Sequence, residues 1–168
     1  MTHCVQRKSR KDDKLYKHIL NLLDKGDIEY KSFKHEPVLD YKKAKKVRER
    51  FNFEGVESKS LFIKSKSGKY YVFVTVKGTR LDSKKMKKLL GEKVSIASGK
   101  ELTEKTDCIP GCAAPFGYSK EITLIIDKNI FSYDKFVFSP AKPEITIEIR
   151  TKDIKKILDV SENKIIYY

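Results

Sequence analysis

The seven residues Tyr70-Tyr71-Val72-Phe73-Val74-Thr75-Val76 constrain this chain more than any other segment. They are β-branched or aromatic throughout and carry no charge. Both faces of the strand they form must be buried, so the strand belongs inside a sheet rather than at its edge. Just before it, Lys66-Ser67-Gly68 supplies a turn, and Ser60 to Ile63 supplies the other arm of a hairpin. A central hairpin rules out a purely parallel sheet.

The flanking segments read as short helices and further strands. Leu15, Ile19, Leu22 and Leu23 fall at i, i+4, i+7 and i+8, which predicts a helix from Asp12 that Gly26 terminates. A strand follows over 28–34 and ends at His35-Glu36-Pro37, because the residue before proline is pushed to extended geometry. Asp40 caps a helix with Ala44, Val47 and Phe51 on one face, and Asp82 or Ser83 caps a shorter one that Gly91 closes. After a short strand at Val94 and Ile96, Ser98 with Glu101 forms a capping box. Strands near 122–126, 134–138 and 144–149, a helix from Thr151 to Leu158 and a last strand at 164–167 complete the pattern. The expected fold is of the α/β class (α+β type): a mixed, mostly antiparallel sheet flanked by short helices. With 168 residues and no linker or repeat, one domain is expected over 12–168, preceded by a flexible basic arm over 1–11.

Charge narrows the partners without naming one. Lys+Arg exceed Asp+Glu by 37 to 23, giving +14, while 39% of residues are hydrophobic and 11% aromatic, too apolar for a disordered basic tail. No run approaches the ~20 apolar residues of a membrane span, and Met1 to Lys14 shows no secretory pattern, so no membrane partner is expected. Three cysteines, Cys4, Cys108 and Cys112, cannot all pair internally, which suits a reducing, cytoplasmic setting. The cations are 31 Lys and six Arg, and that scarcity of Arg argues against sequence-specific DNA readout. A lysine field suits sequence-independent attraction to a polyanion, although an AT-rich genome would produce the same bias. Two clusters stand out: Lys42, Lys43, Lys45 and Lys46 around Ala44, and Lys84, Lys85, Lys87 and Lys88 around Met86. Each spreads four ammoniums over the solvated side of a helix, either for solubility or for tracking phosphates.

Among residue types that carry chemistry, most patterns fall short. Cys108-x3-Cys112 resembles half a zinc site, but no second pair completes it, so no metal or other cofactor is expected. Either cysteine could pair with His35 as a nucleophile and base. No helix begins directly after either one to depress its pKa, and the plainer reading is small, semi-buried loop residues. Phosphate-loop and dinucleotide fingerprints are absent. What remains is the loop Gly111-Cys112-Ala113-Ala114-Pro115, with proline at 110 and 115 stiffening both ends. A segment this free of bulk can bring backbone N–H groups up to an oxyanion or a reacting water; it can equally be a tight connection across a sheet end. Lys59 opens a strand that turns apolar immediately afterwards, placing a cation at the sheet's end or edge.

Taken in order, His35-Glu36-Pro37, Ser58-Lys59-Ser60-Leu61-Phe62-Ile63-Lys64, Arg80-Leu81-Asp82-Ser83, Leu89-Leu90-Gly91, Gly111-x-x-x-Pro115-Phe116-Gly117 and Phe136-Val137-Phe138-Ser139 resemble the YbaK/EbsC family, the prolyl-tRNA synthetase-associated (INS-like) editing domain. The resemblance runs from about residue 15 to 160. It implies a trans-acting deacylase that hydrolyses the ester of mischarged tRNA, often tRNA for proline carrying Ala or Cys, with tRNA and prolyl-tRNA synthetase as partners. It assigns Lys59 as the substrate anchor and the loop Gly111, Cys112, Ala113 and Pro115 as the catalytic backbone, with a ribose hydroxyl of the substrate assisting. Phe33, His35, Ser139 and Thr146 would line the aminoacyl pocket, and the eight clustered lysines would meet the tRNA. Two departures bear on specificity: Pro140-Ala141 stands where many members have a glycine pair, and Thr146 where some cysteine-specific members are acidic. Two rivals remain, a tRNA-binding or synthetase-associated module without catalysis, which a pocket narrowed by Pro140-Ala141 would favour, and a Cys-dependent hydrolase.

Overall fold

The computed structural model describes the backbone of residues 2–168 and the side chains of residues 14–168; the expected arm over 1–11 lies outside the fully described residues. The hairpin anticipated from the apolar run is there: β2 (Val56–Ser65) pairs antiparallel with β3 (Tyr70–Val76) over Ser58–Lys64. β3 lies inside the sheet, with β2 on one side and β5 (Thr123–Ile126) on the other. The full order is β1-β7-β6-β2-β3-β5-β8, with β4 (Val94–Ile96) pairing β2 off this path. Here β1 is Lys31–Lys34, β6 Lys135–Phe138, β7 Ile145–Arg150 and β8 Ile165–Tyr167. Four pairings are antiparallel, and three (β2–β6, β3–β5 and β5–β8) are parallel.

Strand periodicity sorts the helices onto two faces. Phe62, Val72, Val74, Leu124, Phe136, Phe138, Ile147 and Ile149 point one way into the main core. That core also takes in Leu15, Ile19, Leu22 and Leu23 of α1 (Thr2–Lys25), Leu102 of α4 (Gly99–Thr106), and Ile154, Ile157 and Leu158 of α5 (Ile154–Val160). The alternate residues Ile63, Tyr71, Phe73 and Ile125 form a second cluster with Met86 of α3 (Ser83–Leu90). Register carries this second face across the sheet: Lys59 lies opposite Thr75, Glu57 beside Val137, Val137 opposite Glu148, and Thr146 opposite Phe33. α2 (Tyr41–Phe51) covers it at the β1 end, where Phe51 packs on Phe33 with ring centroids 5.3 Å apart. α2 and α3 therefore share a face.

The helix ends follow their capping residues. Asp40 accepts from the Lys43 amide, Asp82 from those of Lys84 and Lys85, and Ser98 with Glu101 makes a reciprocal box. Gly91 ends α3 in the left-handed region at φ 78°. A 3-10 turn at Lys128–Ser132, not anticipated from the sequence, is nucleated by Asp127 accepting from the Asn129 amide. The strand expected over 28–34 pairs only from Lys31, because Ile28 is drawn into the main core beside α1.

Candidate active site

A gap in the sheet creates the site. β2 lies beside β6 only at Val56 and Glu57, and meets β4 only from Ile63 onward. Between these pairings Ser58–Leu61 has no strand neighbour on that side among the described residues, and a cavity of about 550 Å³ occupies the opening. That volume is in the range of small-molecule sites. Its wall includes Lys59 on β2, Gly111, Cys112 and Ala113 of the loop, His35 after β1, Ser139 after β6 and Thr146 on β7. Residues separated by more than a hundred positions are thus brought together. Phe33 is not in the wall; it packs behind Phe53, which is, with ring centroids 4.9 Å apart. Pro115 also lies outside the wall, buried beneath the loop.

The loop is anchored by hydrogen bonds from the residues around it. Tyr118 donates to the Ala114 carbonyl, and Thr103 donates to the Cys108 carbonyl at 3.0 Å. The Asn163 amide donates to the carbonyls of Tyr118, Ser119 and Ile122. Burial pushes the Tyr118 phenol well above its usual pKa of 10, with nearby Cys108 adding to the effect, so it stays a neutral donor. Gly117, at φ 95°, can only be glycine here: a Cβ would come within 2.7 Å of the buried Ile19 side chain. Gly111 takes φ 86° and lies against the Leu39 carbonyl. The Cys112 amide is engaged by the Ile109 carbonyl at 2.9 Å. Gly111 and Ala113 flank it in the cavity wall.

Side chains in the wall hold one another. Nδ1 of His35 donates to the Glu36 carbonyl at 2.7 Å, so in the neutral ring Nε2 accepts from the Thr146 hydroxyl at 2.8 Å. Ser139 donates to the Lys142 carbonyl at 2.9 Å, leaving its oxygen to accept from the Cys112 thiol at 3.0 Å. Cys108 and Cys112 are both buried free thiols. Lys59 shares the face of α2 and α3, and its ammonium donates to the Thr79 carbonyl at 2.6 Å. Two of its three protons remain for a ligand.

Several wall residues carry no signal in the sequence. Glu57 pairs with Arg48 at 3.3 Å and with Lys77 at 3.1 Å, so one carboxylate steadies two cations at the cavity. Leu39, Tyr41 and Ile96 stand around it as exposed apolar side chains. The β2–β3 and β2–β4 pairings and the packing of α2 bring these groups together, and no local pattern signals the set. Pro140 and Ala141 are buried and do not line the cavity, so this departure leaves the pocket unnarrowed; Ala141 adopts the glycine-favoured φ of 63°. The lysines of α2 and α3 are all exposed, with Ala44 and Met86 turned inward as their spacing requires.

Solved structures share the fold. One, described as hypothetical protein APE2540, superposes with a TM-score of 0.75 at 17% identity, covering 89% of this chain and 97% of its own. Another, described as a candidate trans-editing enzyme for prolyl-tRNA synthetase, gives 0.70 at 18% identity, covering 91% and 95%. The fold is thus one that these two structures share with this chain. By sequence, the aminoacyl-tRNA editing domain family matches residues 35–157, and the chain belongs to that family. None of the curated proteins matches it by sequence.

Proposed function

We propose that this protein is a trans-acting aminoacyl-tRNA deacylase that clears mischarged tRNA, with tRNA for proline carrying alanine or cysteine as its substrate and prolyl-tRNA synthetase as the enzyme whose errors it corrects. The observation that carries this reading is that the small-residue segment Gly111–Ala113 lines one cavity together with Lys59 in a member of the editing-domain family. Backbone donors fixed before the substrate arrives need no reorganisation when charge develops on the carbonyl oxygen. Lys59 orients the acylated end as a point charge. A water adds to the ester carbon, and its proton passes through the adjacent ribose hydroxyl to the departing ribose oxygen. The C–O bond then breaks, giving free amino acid and tRNA with both terminal hydroxyls restored. No side-chain base is required. Cys112 and Ser139, already hydrogen-bonded to each other, bound the space for a small aminoacyl side chain.

The test is a panel of mischarged tRNAs (Ala-, Cys- and Ser-tRNA for proline, with Thr- and Ala-tRNA for other isoacceptors) incubated with the protein while ester loss is followed. The proposal expects selective cleavage of a small-residue member of the proline set. Salt-dependent binding of every member with cleavage of none would instead make the chain a binding module. Cleavage abolished by Cys112→Ala, a smaller residue that leaves the space open, would point to a thiol nucleophile.

A further inference from the structure

We infer that Tyr41, with Leu39 and Ile96, forms a stacking platform for the unpaired base on the same ribose as the scissile ester; the inference rests on the deacylase reading and extends it to recognition of the nucleoside. Isolated apolar residues on a surface need no explanation. These three do, because they line a single cavity while remaining 49% (Leu39), 72% (Tyr41) and 61% (Ile96) exposed.

Their surroundings select the occupant. The Lys77 ammonium lies 5.6 Å from the Tyr41 ring centroid, and Lys77 is itself held by Glu57 at 3.1 Å. With one face of the ring under a fixed cation and most of the residue exposed, the other face is open to a flat partner. Lys42, Lys43, Lys45 and Lys46 follow on the same helix and are all exposed. An aromatic surface beside a run of cations matches an unpaired base followed by its phosphates, the pattern by which single strands are gripped without sequence readout. An apolar peptide would leave those charges without counterparts. Position agrees as well. The Leu39 carbonyl lies so close to Gly111 that a Cβ there would stand 3.3 Å from it. The platform therefore abuts the loop assigned to the ester, and base and ester, joined through one sugar, must bind as neighbours.

The experiment uses tRNA whose 3′-terminal adenine is replaced by 2-aminopurine, a fluorophore quenched by stacking, titrated with wild type, Tyr41→Ala and Tyr41→Phe. Wild type and Tyr41→Phe should quench it equally. Tyr41→Ala should lose most of the quench and bind roughly tenfold more weakly, as expected for one lost base stack. With tRNA lacking the terminal nucleotide, the three proteins should bind alike. Quenching by Tyr41→Ala equal to wild type, or no quenching by wild type, overturns the platform. Deacylation of charged tRNA by the same preparations separates the two readings. Activity that survives Tyr41→Ala at unchanged KM sinks the platform and leaves the deacylase standing; quenching without any deacylation does the reverse.

Discussion

Tyr118 shows how a single buried donor controls a site it does not touch. Its phenol supplies the hydrogen bond that holds the Ala114 carbonyl, two residues before Phe116 enters the core. Tyr118→Phe leaves that carbonyl unpaired and should cost about 1–3 kcal/mol in urea unfolding, with a fall in turnover as the loop loosens. Unchanged stability would mean that the loop is held by its other anchors alone. Ser60 is the opposite case: its hydroxyl is buried with no partner among the described residues. Ser60→Ala removes an unsatisfied group, so its melting temperature should equal or exceed that of wild type; a clear drop would reveal a partner the static structure lacks. At this scale the sequence is informative about residue type but not about role. Cys112 is legible as a small loop residue. That its amide is occupied by the Ile109 carbonyl depends on a turn geometry that composition does not encode.

The elements are largely legible wherever their signals are local. Asp40, Asp82 and the Ser98–Glu101 pair cap the helices they are expected to cap, and Lys66-Ser67-Gly68 turns the central hairpin. What cannot be read is the parallel joining of β2 to β6, because its partners lie far apart in the chain, Val56 beside Phe136, and neither strand carries a mark of the other. That pairing sets one end of the sheet gap that holds the cavity, and the β2–β4 pairing sets the other. The cap of α4 gives a pH test. The Ser98 amide, followed by Lys64, lowers the Glu101 carboxyl from 4.5 to about 2. A depressed carboxyl stabilises the fold fully above its unfolded pKa, and that contribution is lost as the pH falls toward the folded one. Between about pH 4.5 and 2, wild type should therefore lose stability more steeply than Glu101→Gln, read by denaturant midpoints across that range. Parallel curves would show that ionisation of Glu101 contributes nothing to the folded state.

For the whole molecule, the eight exposed lysines of α2 and α3 lie on the face of the sheet that carries Lys59. If that face meets tRNA, replacing Lys42, Lys43, Lys45 and Lys46 by Gln should flatten the salt dependence of binding by roughly 0.7–0.9 for each phosphate no longer neutralised. Replacing Lys152 and Lys155, exposed beside or on α5 on the far side, should leave the slope unchanged. Equal effects from both sets would make the lysine excess a diffuse field rather than a docking face.

The central claim, that Lys59 and the small-residue loop together cleave an aminoacyl ester, is tested most directly by single-turnover deacylation with Lys59→Ala beside wild type, the fold of each verified by circular dichroism. The account predicts a folded variant slowed by about 100-fold or more, the scale set by removing one electrostatic stabiliser from an acyl-transfer site. A folded Lys59→Ala that deacylates at the wild-type rate would contradict it.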